Sequence, residues 1–164
     1  MLVIRQAILN DIKQLAQIQT NSWRDSFFDI LAPEILHKYT NLDSCEKLLE
    51  SVFISQKGIF YIAFSTSIPC GEAFWCLGSE IENSAEIVAF HISKSFWNNG
   101  IGTALLQHVI NEIELTKVDC IYLWVFQENI RARKFYEKLG FSTDNFIRNS
   151  RLDNVTEIRY IYSL

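Results

Sequence analysis

Hydrophobic residues along this chain follow two different periods, and their alternation predicts the order of its secondary structure. Short stretches rich in β-branched and aromatic residues are typical of strands, whereas apolar positions at i, i+3, i+4 and i+7 are typical of amphipathic helices. Seven strands are predicted, over residues 2–8, 59–65, 72–77, 85–92, 120–126, 141–147 and 156–162. Five helices are predicted, over residues 12–28, 33–39, 45–54, 100–113 and 130–139. This order indicates a mixed α/β sheet with helices on its faces.

Cap and turn residues support these boundaries. Asn10 and Asp11 are typical residues at the start of a helix, and Gly140 stands where a helix C-terminus favours glycine. A turn is predicted over residues 67–71, between the second and third strands. We expect one domain over residues 1–164.

The composition of the chain limits which binding partners and which cellular compartment are expected for this protein. The chain has 164 residues, 49% of them hydrophobic, which argues against disorder. The formal net charge is −4 with scattered lysine and arginine, so no nucleic-acid partner is expected. The uncharged run over residues 58–71 is too short to span a bilayer. Four cysteines without a C-x-x-C pair predict reduced thiols in a cytoplasmic protein, and no metal site is expected.

A Gly-x-Gly turn at Gly100 and Gly102 leads directly into a helix. Glycine lets a ligand approach the backbone closely, and the first turn of a helix offers unpaired N–H groups, so this motif is suited to a phosphate or pyrophosphate. A dinucleotide-binding fingerprint needs a third glycine where this chain has Leu105, and a P-loop needs lysine where it has Thr103. Taken alone, the motif is equally compatible with an ordinary strand-to-helix turn.

A second motif runs from Asn129 to Phe141 and reads Asn-x-x-Ala-x-x-Phe-Tyr-x-x-x-Gly-Phe. Together with the glycine turn and the order of elements, it resembles the GNAT superfamily of acyl-CoA-dependent N-acetyltransferases over essentially the whole chain. The resemblance implies a GNAT fold, with a mixed and mostly antiparallel central sheet of about six to seven strands and helices on both faces. The chain departs from the family pattern at Trp97, where Gln or Arg is usual. An indole cannot pair with a phosphate as a guanidinium does.

The resemblance implies acetyl-CoA as cofactor and a set of contacts to it. Strand backbone before the glycine turn would pair with pantetheine and polarise the thioester carbonyl, and amides of the turn would bind pyrophosphate. The implied cofactor-binding residues are Phe90, His91, Ile92, Trp97, Asn98, Asn99, Gly100, Ile101, Gly102, Thr103, Asn129, Ala132 and Tyr136. Asn129 is also expected to cap its helix, and Trp97 to pack on the cofactor or support the turn.

The resemblance further implies that Tyr136 points its hydroxyl at the sulfur of the acyl-CoA, although an isolated tyrosine at this spacing is more often a core residue. A phenol pKa near 10 and a thiol pKa of about 8.5 make full proton donation unfavourable by roughly 2 kcal/mol. Tyr136 is therefore predicted to be catalytic, as a hydrogen-bonding stabiliser of the departing thiolate and as a general acid.

Two carboxylates are candidates for the base. Glu86 lies in an apolar strand whose context resembles the strand that carries the catalytic glutamate of nuclear histone acetyltransferases, and it is predicted to be catalytic, acting through a water relay. A salt bridge or hydrogen bond to a neighbouring strand is the alternative. Glu72 is the second candidate. Strand alternation places His91 on the face opposite Glu86, so His91 is not expected to face the site unless a bulge intervenes.

Acceptor specificity in the family depends on the first helices and the loop between them. The Ser-Trp-Arg pattern from Ser22 resembles a bacterial subgroup that includes polyamine acetyltransferases. The predicted substrate-binding residues are Trp23, Asp25, Phe28, Asp29 and Glu72. The acidic residues of this segment are also compatible with a solvated helix end.

The expected activity is direct transfer of the acetyl group from acetyl-CoA to an amine, through a ternary complex without a cysteine nucleophile. A polyamine or another small amine is the expected acceptor. The alternatives are a non-catalytic acyl-CoA-binding module on the same fold and a protein N-terminal or lysine acetyltransferase. No membrane partner is expected, and a homodimer is compatible with the sequence.

Overall fold

The computed structural model describes residues 1–152 and 155–164, and its elements follow the predicted order. The strands are β1 (Leu2–Gln6), β2 (Gly58–Ser65), β3 (Ile68–Leu77), β4 (Ser84–Ile92), β5 (Cys120–Phe126), β6 (Ser142–Asn149) and β7 (Thr156–Ser163). The helices are α1 (Ile12–Phe27), α2 (Pro33–Tyr39), α3 (Leu42–Ser55), α4 (Ile101–Glu114) and α5 (Ile130–Lys138).

The strands form one seven-stranded sheet in the order β1-β2-β3-β4-β5-β7-β6. Neighbouring strands are antiparallel except β4 and β5, which are parallel. A parallel pair needs a crossover connection, and α4 provides it. The predicted mixed and mostly antiparallel sheet is thus confirmed.

The start of β3 differs from the prediction because the chain reverses earlier than expected. β3 begins at Ile68, inside the stretch predicted as a turn over residues 67–71. Thr66 and Ser67 complete the reversal, with φ of 48° and 70°, which is the backbone geometry that tight hairpins prefer. Pro69 consequently lies within a strand, beside an irregularity in the pairing with β2, where proline is tolerated.

Helices cover both faces of the sheet, as predicted. On one face, α4 buries Leu105, Leu106 and Val109 completely, and α5 packs beside it. On the other face, α1 buries Leu15 and Ala16 against the sheet, together with apolar residues of α3. The sheet therefore separates two apolar clusters.

The parallel strands β4 and β5 pair only at their beginnings and then separate. Their ladder joins residues 84–86 to residues 120–122. β4 continues to Ile92 and β5 to Phe126, and no pairing between them is found over these later residues in the described structure. The separation opens a wedge in the middle of the sheet, where backbone groups of both strands are free to pair with a ligand.

A β-bulge interrupts β4 at the point where the wedge opens. Phe74 of β3 pairs with Ala89, whereas the next residue, Trp75, pairs with Ile87. Val88 is therefore an extra residue on β4, and its side chain is 53% exposed. A bulge of this kind shifts the alternation of side chains for the rest of the strand.

The bulge corrects one prediction. Ile87 belongs to the cluster beneath α4, and Phe90 packs against the same cluster, so these residues share a face across the bulge. Ala89 packs against the cluster on the α1 face. Glu86 and His91 lie on this second face as well, because each is adjacent in sequence to a residue of the first face. The sequence placed His91 opposite Glu86 unless a bulge intervened, and the bulge at Val88 puts the two residues on the same face.

Candidate active site

A cavity of about 870 Å³ lies in the wedge between β4 and β5 and reaches the N-terminal ends of α4 and α5, with α1 as a further wall. It brings the two sequence motifs together. The predicted cofactor-binding residues in its wall are Phe90, His91, Ile92, Trp97, Asn98, Gly100, Gly102, Thr103, Asn129, Ala132 and Tyr136. Of the remaining two, Asn99 does not line the cavity and Ile101 is buried in the core, with 6% of its surface exposed.

The glycine turn gives α4 an N-terminus that is open to the cavity. Gly100 is the N-cap of α4 and has φ of 77°, a left-handed conformation that favours glycine. A Cβ atom at Gly100 would meet no atom within 4 Å, so the space beside the turn is open. A Cβ at Gly102 would lie 3.4 Å from the Phe135 ring, in ordinary contact. Since the first amides of a helix have no partner within it, this end of α4 suits an anionic group.

Trp97 supports the end of β4 and holds a guanidinium in place. Its indole Nε1 donates a hydrogen bond to the carbonyl of Ile92, at 2.8 Å. The guanidinium carbon of Arg131 lies 3.2 Å above the centre of the Trp97 ring, a close cation–π contact. Arg131 also donates from Nη2 to Oγ of Ser26 on α1, at 2.9 Å. Trp97 thus connects the end of β4 to the start of α5, and its packing on the cofactor stays a prediction.

Arg131 is a cavity residue that the sequence analysis missed. It stands in the first turn of α5, where a cation is unfavourable because of the positive end of the helix dipole. An arginine at such a position, two residues after the Asn129 cap, was the available signal. Its guanidinium lies at the cavity beside Trp97, the position at which this chain lacks the Gln or Arg of the family pattern.

Tyr136 lies at the centre of the cavity wall among aromatic rings. Only 7% of its surface is exposed, and the ring centres of Phe90, Phe135 and Phe141 lie 6.2, 5.3 and 5.7 Å from its own. Within the described residues, its hydroxyl has no hydrogen-bond partner. Burial raises the pKa of the Tyr136 phenol above its ordinary value. The phenol is therefore suited to donating a hydrogen bond and poorly suited to giving up its proton.

Asn129 caps α5, as predicted from its position. Its side-chain oxygen accepts a hydrogen bond from the backbone N–H of Ala132, at 3.2 Å. Asn129 and Ala132 both line the cavity, so the cap fixes the helix end at which Arg131 and Tyr136 are presented.

Glu86 lies outside the cavity wall, on the part of β4 that still pairs with β5. The hydroxyl of Tyr122 donates a hydrogen bond to its Oε2, at 3.1 Å, and accepts from the backbone N–H of Ser79, at 3.2 Å. Burial raises the pKa of Glu86, and the bond from Tyr122 acts in the opposite direction. The hydrogen bond to a neighbouring strand, which the sequence left as the alternative reading of Glu86, is thus present.

Glu72 and His91 form a buried pair beside the cavity. They are directly opposite each other on β3 and β4, and His91 Nε2 lies 3.9 Å from Glu72 Oε1. The Glu72 side chain is 1% exposed, and that of His91 is 13% exposed and lines the cavity. Burial raises the pKa of Glu72 well above its ordinary value and lowers that of His91 to about 4.

Aromatic rings form part of the cavity wall. Trp23 and Phe27 of α1 and Trp124 and Phe126 of β5 line it, and the ring centres of Phe27 and Phe126 lie 5.0 Å apart. Glu157 is the one carboxylate among the described cavity residues, and Arg148 donates to it at 2.7 Å.

The other predicted acceptor residues lie away from this wall. Asp25 is paired with Lys94 at 3.6 Å, beside a separate and smaller cavity of about 260 Å³. Phe28 is 67% exposed, and neither it nor Asp29 lines the large cavity.

A sheet split between two parallel strands, with a helix N-terminus and a tyrosine facing the gap, defines the class of acyltransferase that the sequence motifs resembled. A family model of the acetyltransferase (GNAT) family matches residues 12–141. The chain therefore belongs to the GNAT family and is an N-acetyltransferase of that family.

Relatives and solved structures agree with this assignment. The chain is 29% identical over 100 residues to the ribosomal protein bS18-alanine N-acetyltransferase of Escherichia coli, covering 61% of this chain and 68% of that protein. It is 25% identical over 146 residues to a spermidine N(1)-acetyltransferase of Thermoplasma acidophilum, covering 87% and 89%. The crystal structure of the PaiA N-acetyltransferase from Thermoplasma acidophilum, in complex with coenzyme A, has the same fold, with a TM-score of 0.84 and 21% identity over 100% of this chain and 99% of that one.

The cysteines, the possible metal ligands and the helix lengths were also compared with the predictions over the described part of the chain. All four cysteines are free thiols, as predicted. Within residues 1–152 and 155–164, no three His, Cys, Asp or Glu side chains are grouped as a metal ion would require. None of the described helices has the length and apolar character needed to cross a membrane.

Proposed function

We propose that this chain binds acetyl-CoA in the wedge between β4 and β5 and transfers the acetyl group directly to a primary amine. The observation that carries the proposal is the unpartnered hydroxyl of Tyr136, which lies in the same cavity as the open N-terminus of α4. A thiolate that leaves beside this hydroxyl would receive a hydrogen bond at the moment its charge develops. Acetyl-CoA supplies the activated acyl group.

The two ends of the cavity have the chemistry that the two halves of this cofactor need. The first-turn amides of α4 and the guanidinium of Arg131 are donors for the pyrophosphate. Beyond the bulge at Val88, the edge of β4 that faces β5 has no partner strand and is suited to hydrogen-bonding the amide groups of pantetheine and polarising the thioester carbonyl. Relatives that acetylate amines, and a similar fold solved with coenzyme A, support this assignment.

The acceptor is a small monoamine with an apolar or aromatic body. The aromatic walls formed by Trp23, Phe27, Trp124 and Phe126 suit such a body, and aromatic faces also attract an ammonium group. A polyamine carries several separated charges and would call for several carboxylates. Among the described cavity residues Glu157 alone offers one, and it is already paired with Arg148.

Release of coenzyme A, measured with a thiol reagent, tests the proposal over a panel of arylalkyl monoamines, short alkyl monoamines, spermidine and a peptide with an N-terminal alanine. We expect turnover with primary amines, with the highest kcat/KM for the arylalkyl monoamines. A preference for spermidine or for the peptide would overturn the acceptor assignment alone. Binding of acetyl-CoA without thiol release above the rate of spontaneous hydrolysis, for every amine, would instead indicate a non-catalytic binding module.

The cellular compartment and the oligomeric state of the protein are also proposals. Four free thiols are what a reducing compartment preserves, so we place the reaction in the cytoplasm. The homodimer stays a prediction, to be checked by light scattering of the purified protein.

A further inference from the structure

The carboxyl group of Glu72 is an anomaly in the interior of this protein. Both of its oxygens are fully buried and have no hydrogen-bond partner in the described structure. Burying a carboxyl without donors is unfavourable, and buried polar groups of this kind are rare in folded proteins. Thr20, which is also fully buried on the same side, uses its hydroxyl to bond the carbonyl of Ala16 instead. Packing alone therefore gives no reason for a carboxyl at this position.

The neighbour that Glu72 does have is His91. The two residues are in register on adjacent antiparallel strands, and the 3.9 Å between Nε2 and Oε1 is within reach of an ion pair. The bulge at Val88 is what turns His91 to this face. His91 also lines the cavity, so the pair connects the interior to the proposed reaction site.

We propose that His91 accepts the proton that the attacking amine loses, with Glu72 behind it as the residue that stabilises the imidazolium. This inference rests on the proposed acetyl transfer and assigns its base. His91 lies in the β4 segment beyond the bulge, which faces the wedge, whereas Glu86 is outside the cavity and engaged by Tyr122. A base must be within reach of the proton it removes, so geometry favours His91.

The amine lone pair forms the C–N bond to the thioester carbonyl carbon, and the C–S bond breaks with its electron pair leaving on sulfur. One proton of the amine nitrogen passes to the imidazole of His91. The thiolate receives a hydrogen bond from Tyr136 and is protonated from solvent, and the imidazolium returns its proton to solvent, so that coenzyme A and the amide are released.

The 3.9 Å between His91 Nε2 and Glu72 Oε1 couples the ionisation of the two groups. The proton-accepting state has a neutral imidazole beside an ionised Glu72, and acceptance of a proton converts it to an ion pair without net charge. Burial opposes ionisation of Glu72 and so extends the inactive, protonated state to higher pH than an exposed carboxyl would allow. Cys45 of α3 interacts electrostatically with Glu72, and the charged residues that share the cavity wall with His91 are Arg131, Lys134, Lys138 and Glu157, with Asp25 and Lys94 beside the adjacent cavity.

The experiment compares His91→Gln and Glu72→Gln with the intact protein, using the best amine from the acceptor panel. His91→Gln is expected to lower kcat by about 10²- to 10⁴-fold, the contribution usual for a general base, with the KM for acetyl-CoA within about threefold. Glu72→Gln is expected to lower the plateau of kcat and to move the acid limb of the pH–kcat/KM profile to lower pH, because burial then lowers the pKa of His91 with no ionised carboxyl beside it to oppose the shift. A merely structural role for Glu72 would leave the position of that limb unchanged.

Matched controls come from residues outside the cavity. His108 packs its ring on Tyr61, and Glu112 accepts a hydrogen bond from the Tyr61 hydroxyl, both on α4. His108→Gln and Glu112→Gln should keep the kcat and the pH profile of the intact protein. Acetyl-CoA binding by calorimetry shows that each variant is folded; a variant of His91 or Glu72 that does not bind is replaced by His91→Asn or Glu72→Ala.

The outcomes separate this inference from the proposed function. If the intact protein releases no thiol with any amine, the acetyl transfer itself is refuted. If it does, and His91→Gln keeps its kcat or Glu72→Gln keeps its acid limb, acetyl transfer stands and the His91–Glu72 base is overturned. A loss of kcat and a shifted limb in Glu86→Gln alone would assign the base to Glu86 instead.

Discussion

Replacement of Tyr136 by phenylalanine separates catalysis from folding in a way that follows directly from the structure. The substitution removes one hydroxyl and leaves the ring packed against Phe90, Phe135 and Phe141. Because that hydroxyl has no partner among the described residues, no hydrogen bond within the protein is lost. We expect the free energy of unfolding to change by less than about 0.5 kcal/mol.

The catalytic effect has a magnitude that depends on what the hydroxyl does. A hydrogen bond to a charged group contributes about 1.5–3 kcal/mol, which corresponds to roughly 10- to 150-fold in kcat. Full proton donation would contribute more, up to about 10⁴-fold, but burial raises the pKa of Tyr136 and makes that route less favourable. We therefore expect kcat to fall by roughly 10- to 150-fold, with an unchanged dissociation constant for acetyl-CoA.

Tyr61→Phe is the matched control for Tyr136→Phe. Tyr61 is buried in the same apolar cluster, but its hydroxyl donates to Glu112 at 3.2 Å, and neither residue lines the cavity. Its removal should lower the free energy of unfolding by about 1 kcal/mol and leave kcat unchanged. Urea unfolding and thiol-release kinetics on the same preparations measure both effects. An unaltered kcat in Tyr136→Phe for every active amine, or a stability loss larger than that of Tyr61→Phe, would refute this reasoning.

Further predictions concern the turn, the buried carboxyl and the stacked arginine. Gly100→Ala should lose about 1–2 kcal/mol of stability in urea unfolding because of its left-handed φ, whereas Gly102→Ala should gain up to about 1 kcal/mol because its Cβ has room on a helix. The reverse order would contradict this geometry. The pKa of Glu72 is raised in the folded protein, so the unfolded chain loses this proton first and the contribution of Glu72 to stability falls as pH rises above 4.5. The free energy of unfolding should therefore depend less on pH in Glu72→Gln than in the intact protein, and parallel curves of unfolding free energy against pH would exclude this. Arg131→Ala should raise the dissociation constant for acetyl-CoA, measured by calorimetry, roughly tenfold. Arg131→Lys should recover only part of this affinity, because lysine cannot stack on Trp97 in the same way. Equal affinities of Arg131→Ala and the intact protein would exclude a cofactor contact.

The order and type of the elements were readable from the sequence because they depend on local chemistry. The apolar stripe of α4, the cap at Asn129 and the glycine after α5 each act within a few residues of themselves. The seven predicted strands and five predicted helices are present in the predicted order within the described residues, although some bounds differ. The two motifs at Gly100 and Asn129 likewise identified the walls of the cavity, since helix N-termini are defined by short stretches of chain.

The boundary of β3 shows where local signals were insufficient. Pro69 indicated a turn, but the reversal occurs earlier, at Thr66 and Ser67, because pairing with β2 extends the strand through the proline. The register between neighbouring strands decides such a case, and a single segment carries no information about its partner.

The sequence by itself determined the family, the fold and the two motifs that meet at the cavity. Tertiary structure alone decided the bulge at Val88, because it depends on how β3 pairs with β4, and this bulge turns His91 toward Glu72. It also decided that the guanidinium beside the glycine turn comes from Arg131, held by Trp97 on another segment. Contacts between residues distant in the chain depend on packing and register, and periodicity along one segment cannot specify them.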